Sequence, residues 1–325
     1  MKVAVLDDFT DVARSFADWS PVEKRAELTI FRDHLTDNDA LAVRLAPFDV
    51  VAVMRERTPL PRELLDRLPN LKCIVTSGMR NASIDEKAAT DRGIVVCGTE
   101  SVGFTTAEHA WAMLMAAARN IPQEEAAFRR GTWQLGVGTT LRGRRLGILG
   151  LGKIGTQVAA FGKAFGMDVV AWSQNLTDER ASKDGARRLE KDELLSTSDF
   201  ITIHLVLSPR TRHLIGAREF GLMKSSAILV NTSRGPIIDE AALIEALKSK
   251  RIRRAALDVY DVEPLPKDHP LLKLDNAVLT PHLGYVNDHN YSIFYPKQIE
   301  DIMAFLDGRP IRVINEDVLA RARRA

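Results

Sequence analysis

Two cysteines in 325 residues, Cys73 and Cys97, are too few for a disulfide framework or a cysteine-based metal centre. Each stands beside an apolar run that reads as a strand, so both are expected as buried thiols in a reducing compartment, the cytoplasm, with no metal bound. An excess of one charge is also lacking. The 45 Lys and Arg residues against 43 Asp and Glu leave a net +2, scattered along the chain, and with no basic stripe a nucleic-acid partner is not expected. Long apolar runs are missing too. The longest, AWAMLMAAA at 110–118, falls far short of the ~20 residues that cross a bilayer, and Asp7 and Asp8 occupy the stretch that a signal peptide keeps apolar. Low-complexity tracts and short-period repeats are absent. What remains is a soluble, unprocessed globular chain with no membrane partner, of a length that suits two α/β domains.

Short β-branched runs alternate with helical patterns, the signature of parallel βαβ architecture. Strands are expected at 2–8, 28–33, 50–54, 72–78 and 94–98, forming one doubly wound unit. A long Ala- and Met-rich helix at 103–119 leads to RLGILGLG at 145–152, and a second series follows at 168–173, 200–205, 227–233, 254–259 and 276–281. The fold class is therefore α/β, with two doubly wound parallel-sheet domains. A last helix from about 291 to 306 is free to return to the first of them. The expected boundaries are 1–99 plus 287–325 for one domain and 100–286 for the other.

The stretch GLGKIG, residues 150–155, lies between an apolar strand and a helix, the context in which a glycine-rich turn cradles a dinucleotide pyrophosphate. Gly150 permits the tight turn, Gly152 lets backbone approach phosphate, and Gly155 lets helix and strand pack closely. At the end of the next strand an acidic residue would hold the ribose of NAD, but Ser173, Gln174 and Asn175 stand there. No carboxylate repels a 2′-phosphate, and no arginine follows immediately to bind one, since Arg180 lies several residues on. The cofactor is NAD or NADP, with the choice open.

Three further stretches fall at strand C-termini, where doubly wound sheets bind ligands: NTSRGPIID (231–239), DVYDVEPLP (258–266) and TPHLGY (280–285). With the glycine turn, and in this order, they resemble the D-isomer-specific 2-hydroxyacid dehydrogenases over nearly the whole chain. That family includes phosphoglycerate, glyoxylate/hydroxypyruvate and D-lactate dehydrogenases. The resemblance implies a flavodoxin-like substrate domain, a Rossmann dinucleotide-binding domain, and hydride transfer in the cleft between them, with closure excluding water. It matches Arg234, Glu263 and His282 to the catalytic arginine, glutamate and histidine.

Those residue types suit the chemistry. Reducing a 2-keto acid creates an alkoxide that must take a proton as it forms, which His282 would donate. Glu263 would orient the ring and favour its charged form. Arg234, a planar cation, would pair with the substrate carboxylate and polarise its carbonyl. The resemblance further places Lys153, Ile154, Leu205, Thr232, Asp258 and Gly284 at the cofactor, with Val206 where proline is usual. Thr106 and its helix match the interdomain segment; Glu108 and His109 receive no role.

In the first domain, TSGMRNASID (76–85) matches the loop whose amides hold the substrate carboxylate, which points to Gly78, Met79 and Arg80. Arg80 stands where a second glycine is usual and Ala82 where aspartate is frequent. Arg80 is read evenly as a solvated arginine or as an extra cation for the substrate, and Arg55 and Arg57 are candidates for the same cleft. Thr76 replaces an arginine of the phosphoglycerate members, which favours a small 2-keto acid such as glyoxylate or hydroxypyruvate. The resemblance also implies a homodimer through residues 119–134, with Trp133 on an interlocking arm. Three alternatives stand beside this reading: a phosphoglycerate dehydrogenase, an NAD(H)-sensing corepressor-like binding module, against which the short chain ends speak, and a formate-type dehydrogenase, which needs no proton transfer.

Overall fold

The computed structural model describes residues 1–322, which divide into two compact units, 1–102 with 288–322 and 103–287. In the first unit, runs such as VVAV and CIVT are largely apolar and buried at every position. They form strands buried on both faces, as a parallel sheet between helices requires. The five strands are β1 (Lys2–Val5), β2 (Glu27–Ile30), β3 (Val50–Val53), β4 (Cys73–Thr76) and β5 (Val95–Gly98). They lie in the order β2-β1-β3-β4-β5, all parallel, which is the flavodoxin-like order. The order reverses between β1 and β3, so the loops after these strands border the position where such sheets bind ligands.

The final helix, Asp288–Leu306, does belong to this first unit. Its Gln298 side chain donates to the Val53 carbonyl and the Ser77 hydroxyl, and its Tyr295 ring meets Trp19 edge to face, with both aromatics buried. Cys73 and Cys97 are free and fully buried, and burial pushes the Cys73 thiol well up.

The second unit holds seven parallel strands: β6 (Arg145–Leu149), β7 (Asp168–Trp172), β8 (Arg187–Arg188), β9 (Phe200–Ile203), β10 (Ile228–Asn231), β11 (Arg254–Leu257) and β12 (Ala277–Leu279). Their order is β12-β11-β10-β9-β6-β7-β8, the Rossmann arrangement with one strand added. Two apolar clusters cover the two faces. One is built around Met113, Leu114, Ile148 and Val158, and the other around Leu149, Ile201, Leu229 and Leu257. Strand β8 was not expected from the sequence; two arginines carry no β-branched pattern, and it exists only as an edge added to β7. The other expected strands form but are shorter, because residues such as Ser77 and Gly78 leave the sheet to build the loops that follow it. Among the described residues no helix is long and apolar enough to cross a membrane, and no His, Cys, Asp and Glu cluster could hold a metal.

Candidate active site

The glycine turn follows β6 at the point where the strand order of the second unit reverses. Gly150 adopts φ +101°, a left-handed conformation suited to glycine, and a Cβ there would lie 2.6 Å from the His204 carbonyl oxygen. A Cβ on Gly155 would fall 2.0 Å from the Gly150 carbonyl oxygen, so only glycine lets helix Lys153–Ala164 start this close to the strand. Gly152, the N-cap of that helix, faces open space. An unobstructed helix N-terminus fits an anionic phosphate. Lys153 is exposed on the first turn, and Ile154 packs against the core beneath it.

The neighbouring strand ends fit the rest of a dinucleotide. Ser173 is half-buried in a turn closed by the Leu176 amide on the Ser173 carbonyl, whereas Gln174 and Asn175 are exposed. Arg180 lies on helix Asp178–Lys183, 3.9 Å from Asp184. Leu205 is half-buried after β9, and Val206 is largely exposed. Thr232, just past β10, is buried, and its hydroxyl has no hydrogen-bond partner among the described residues. A buried hydroxyl left unsatisfied is costly unless a ligand supplies the partner.

Arg234 follows on the same loop, at the N-cap of the short 3-10 turn Gly235–Ile237. The Asn231 side chain donates to the Arg234 carbonyl at 3.0 Å, and Arg234 Nη1 donates to the Ser233 carbonyl at 2.6 Å. Gly235 presses this loop against the next one: a Cβ there would sit 2.1 Å from the Tyr260 carbonyl carbon. That second loop carries Glu263, whose Oε1 accepts from the Tyr260 amide at 2.9 Å. Its Oε2 lies 2.6 Å from His282 Nδ1.

His282 takes φ +54°, unusual for a non-glycine residue and frequent at sites where a side chain must be aimed. Since a carboxylate only accepts, Nδ1 carries the proton toward Glu263, leaving Nε2 as the nitrogen available to a reacting group. Tyr285 packs edge to face on the imidazole at 5.3 Å. Tyr260, on the loop that carries Glu263, shares its one hydroxyl proton between the Leu257 carbonyl at 3.1 Å and the Thr280 carbonyl at 3.0 Å, and burial pushes its pKa upward. Asp258 is fully buried at the end of β11, and Gly284 is packed against it. Within the second unit the structure thus gathers Arg234, Glu263 and His282 on three successive strand-end loops.

In the first unit, Gly78 takes φ +91°, and its amide donates to Thr99 Oγ1 at 2.9 Å. Met79 and Arg80 are exposed, and no partner for the Arg80 side chain occurs among the described residues. Arg55 is the cation that reaches this loop: its Nη1 donates to the Ser77 carbonyl at 3.0 Å and would collide with any Cβ at Gly78. Arg57 turns away from it, stacking on Phe9 and donating to the Asp7 carbonyl and toward the Tyr291 hydroxyl. Two residues had no role in the sequence reading, Tyr260 and His109, whose ring lies 3.1 Å from Asp258. A histidine on an amphipathic helix carries no local signal of such a partner.

Comparisons with known proteins point to one family. The model of the D-isomer specific 2-hydroxyacid dehydrogenase NAD-binding domain matches residues 111–284. A D-3-phosphoglycerate dehydrogenase of Methanocaldococcus jannaschii is 44% identical over 238 residues, covering 72% of this chain and 45% of its own length. This chain therefore spans about half the length of that relative. A glyoxylate reductase of Korarchaeum cryptofilum is 35% identical over 308 residues, 92% of this chain and 93% of its own. The crystal structure of a phosphoglycerate oxidoreductase from Vibrio cholerae superposes with a TM-score of 0.90 at 35% identity, covering 95% of this chain and 99% of that one. With that family model matching residues 111–284, more than half of the chain, and a 35% identical relative covered over 93% of its length, this chain belongs to the D-isomer specific 2-hydroxyacid dehydrogenase family.

Proposed function

We propose that the protein is an NAD(P)-dependent reductase of small 2-keto acids such as glyoxylate or hydroxypyruvate, running in reverse as a D-2-hydroxyacid dehydrogenase. The observation that carries this reading is the 2.6 Å contact between Glu263 and His282 Nδ1, which leaves Nε2 to exchange a proton with the substrate oxygen. When bound, the nicotinamide cofactor supplies or accepts the hydride. His282 gives the proton to the carbonyl oxygen during reduction and takes it from the hydroxyl during oxidation, and Glu263 holds the ring in the tautomer this needs. Arg234 pairs with the substrate carboxylate, and in the first unit, our candidate substrate domain, the backbone of Gly78 and Met79 is assigned to substrate binding. Gly150, Gly152, Lys153, Ile154, Gly155, Leu205, Thr232, Asp258 and Gly284 are assigned to the cofactor in the second.

A second reading, a substrate with another acidic group such as a phosphoglycerate, is favoured by Arg55 beside the Gly78 loop. Against it stands Thr76, which is fully buried and bonded to Asn81, so that it presents no cation to a ligand. We also propose a homodimer. Phe128, Trp133, Leu135 and Val137 expose an apolar stretch along 128–137 that a second copy would cover. Cytoplasmic residence belongs to the same reading and is supported by the two reduced, buried thiols. The deciding experiment is a panel of 2-keto acids, including glyoxylate, hydroxypyruvate, pyruvate and phosphohydroxypyruvate, with NADH and NADPH, followed through absorbance of the reduced nicotinamide. Rapid turnover of a small 2-keto acid supports the proposal, whereas a strict requirement for the phosphorylated substrate would replace it with the second reading.

A further inference from the structure

One buried carboxylate holds the loop that carries His282 at three points. Asp258 Oδ1 accepts from the Thr280 hydroxyl at 2.5 Å and from the Leu283 amide at 2.7 Å, and Oδ2 accepts from the Gly284 amide at 2.9 Å. The tethers lie on both sides of His282, two residues before it and one and two residues after. Between them the backbone takes the left-handed turn at His282. Asp258 is fully buried, where an isolated negative charge is expensive.

The partner that offsets this cost comes from helix Phe104–Arg119, which lies far away in sequence. His109 Nε2 stands 3.1 Å from Asp258 Oδ1 and 3.3 Å from Thr280 Oγ1. Thr280 has a single hydroxyl proton, and its shortest contact assigns that proton to Asp258. Nε2 must therefore be a donor to this pair of oxygens. The same helix touches the loop twice more, through Thr106 Oγ1 on the Gly284 carbonyl at 3.3 Å and Met113 Sδ at 3.6 Å from Thr280 Oγ1. Positions 106, 109 and 113 share one face of the helix by their spacing.

We propose that His109 is a positioning residue for His282, acting through Asp258: its Nε2–H keeps the buried carboxylate charged and oriented, and that carboxylate fixes the turn that aims the imidazole. Burial works against the charge on Asp258, yet the hydrogen bonds from His109, Thr280 and the Leu283 amide prevail and hold its carboxyl below the usual range. The catalytic consequence rests on the dehydrogenase reading above, whereas the effect on the loop does not.

Three variants separate the donor from the ring. His109→Gln places a donor near the Nε2 position, His109→Asn places one too short to reach, and His109→Leu has none. In the purified full chain, hydrogen–deuterium exchange of the peptide spanning 280–285 is expected to speed up at least tenfold in the Leu and Asn variants and to return to near wild type in the Gln variant. Exchange of β6, β9 and β10 should be unchanged in all three. With the best 2-keto acid, turnover should fall roughly ten- to a hundredfold in the Leu variant, as expected when a reacting group is misplaced by about an ångström, with recovery in the Gln variant and unaltered NADH binding stoichiometry. Wild-type exchange of 280–285 in His109→Leu, or a Gln variant as disturbed as the Leu variant, overturns the proposal. If the wild type reduces no 2-keto acid, the dehydrogenase reading fails, and the exchange data still decide whether His109 orders the loop.

Discussion

Glu263 holds His282 through a single 2.6 Å contact at Nδ1 while its other oxygen is anchored on the Tyr260 amide. The carboxylate is thereby fixed on its own loop before it meets the ring, and the orientation of the ring follows from backbone geometry. His282→Asn removes the proposed proton donor and should cut turnover by roughly a hundredfold or more. Glu263→Gln keeps the shape but loses the charge and should lower turnover by a smaller factor. NADH binding, read by fluorescence titration, should survive both changes. Unaltered turnover in His282→Asn would remove this residue from the chemistry.

Arg234 is a test of geometry as well as charge. Its Nη1 donates to the Ser233 carbonyl, which ties one end of the guanidinium to its own loop. Arg234→Lys keeps the cation but loses the fork, and it should raise KM for the keto acid while also lowering kcat. Wild-type kinetics on the best substrate would refute the assignment.

Cofactor choice can be tested at the end of β7. Ser173, Gln174 and Asn175 offer neutral groups only, and Arg180 has an acidic neighbour in Asp184. Both cofactors should support turnover, with NADPH moderately favoured because nothing there repels its phosphate. Ser173→Asp should shift the ratio of catalytic efficiencies toward NADH by at least about tenfold, since a charged contact is worth well over 1 kcal/mol. A wild type that strictly requires NADH, or a variant still preferring NADPH, places specificity elsewhere.

The first unit contains a pH-sensitive element in Asp301. Burial raises its carboxyl to about 7, although Arg312 lies 2.9 Å away and opposes the rise. An ordinary aspartate titrates near 3.9, so between these values the folded chain retains a proton that the unfolded chain has released. The contribution of this group to stability is therefore largest below about pH 4 and is lost as the pH rises through about 7. Asp301→Asn cannot titrate. Relative to wild type it should gain up to ~4 kcal/mol of unfolding free energy between pH 4 and 8, measured by urea denaturation across that range. Parallel pH profiles for the two proteins would contradict this.

Much of the architecture was legible because the buried parallel strands are short, largely apolar runs, VVAV, CIVT, FITI and ILVN among them, whose character does not depend on distant partners. The glycine turn was readable in part for a similar reason: Gly155 answers to the Gly150 carbonyl five residues before it, whereas Gly150 makes room for the His204 carbonyl beyond the neighbouring strand β9. Arg234, Glu263 and His282 were singled out because their short strand-end segments, in that order, resemble those of the family.

The remaining features arise from contacts between segments far apart in sequence, which no local pattern encodes. Strand β8 exists only because Arg187 and Arg188 find the edge of β7. Arg55 meets the Gly78 loop because β3 and β4 are neighbours in the sheet, and that adjacency selects it over Arg57, two residues away, which stacks on Phe9 instead. His109 and Thr280 are 171 residues apart and share a hydrogen-bonding site only once helix and sheet have packed. Sequence determined which side chains could carry charge, protons and close backbone approach. Tertiary structure decided which of them meet, because hydrogen bonds and ion pairs act over a few ångströms and depend on how the segments pack, not on their separation along the chain.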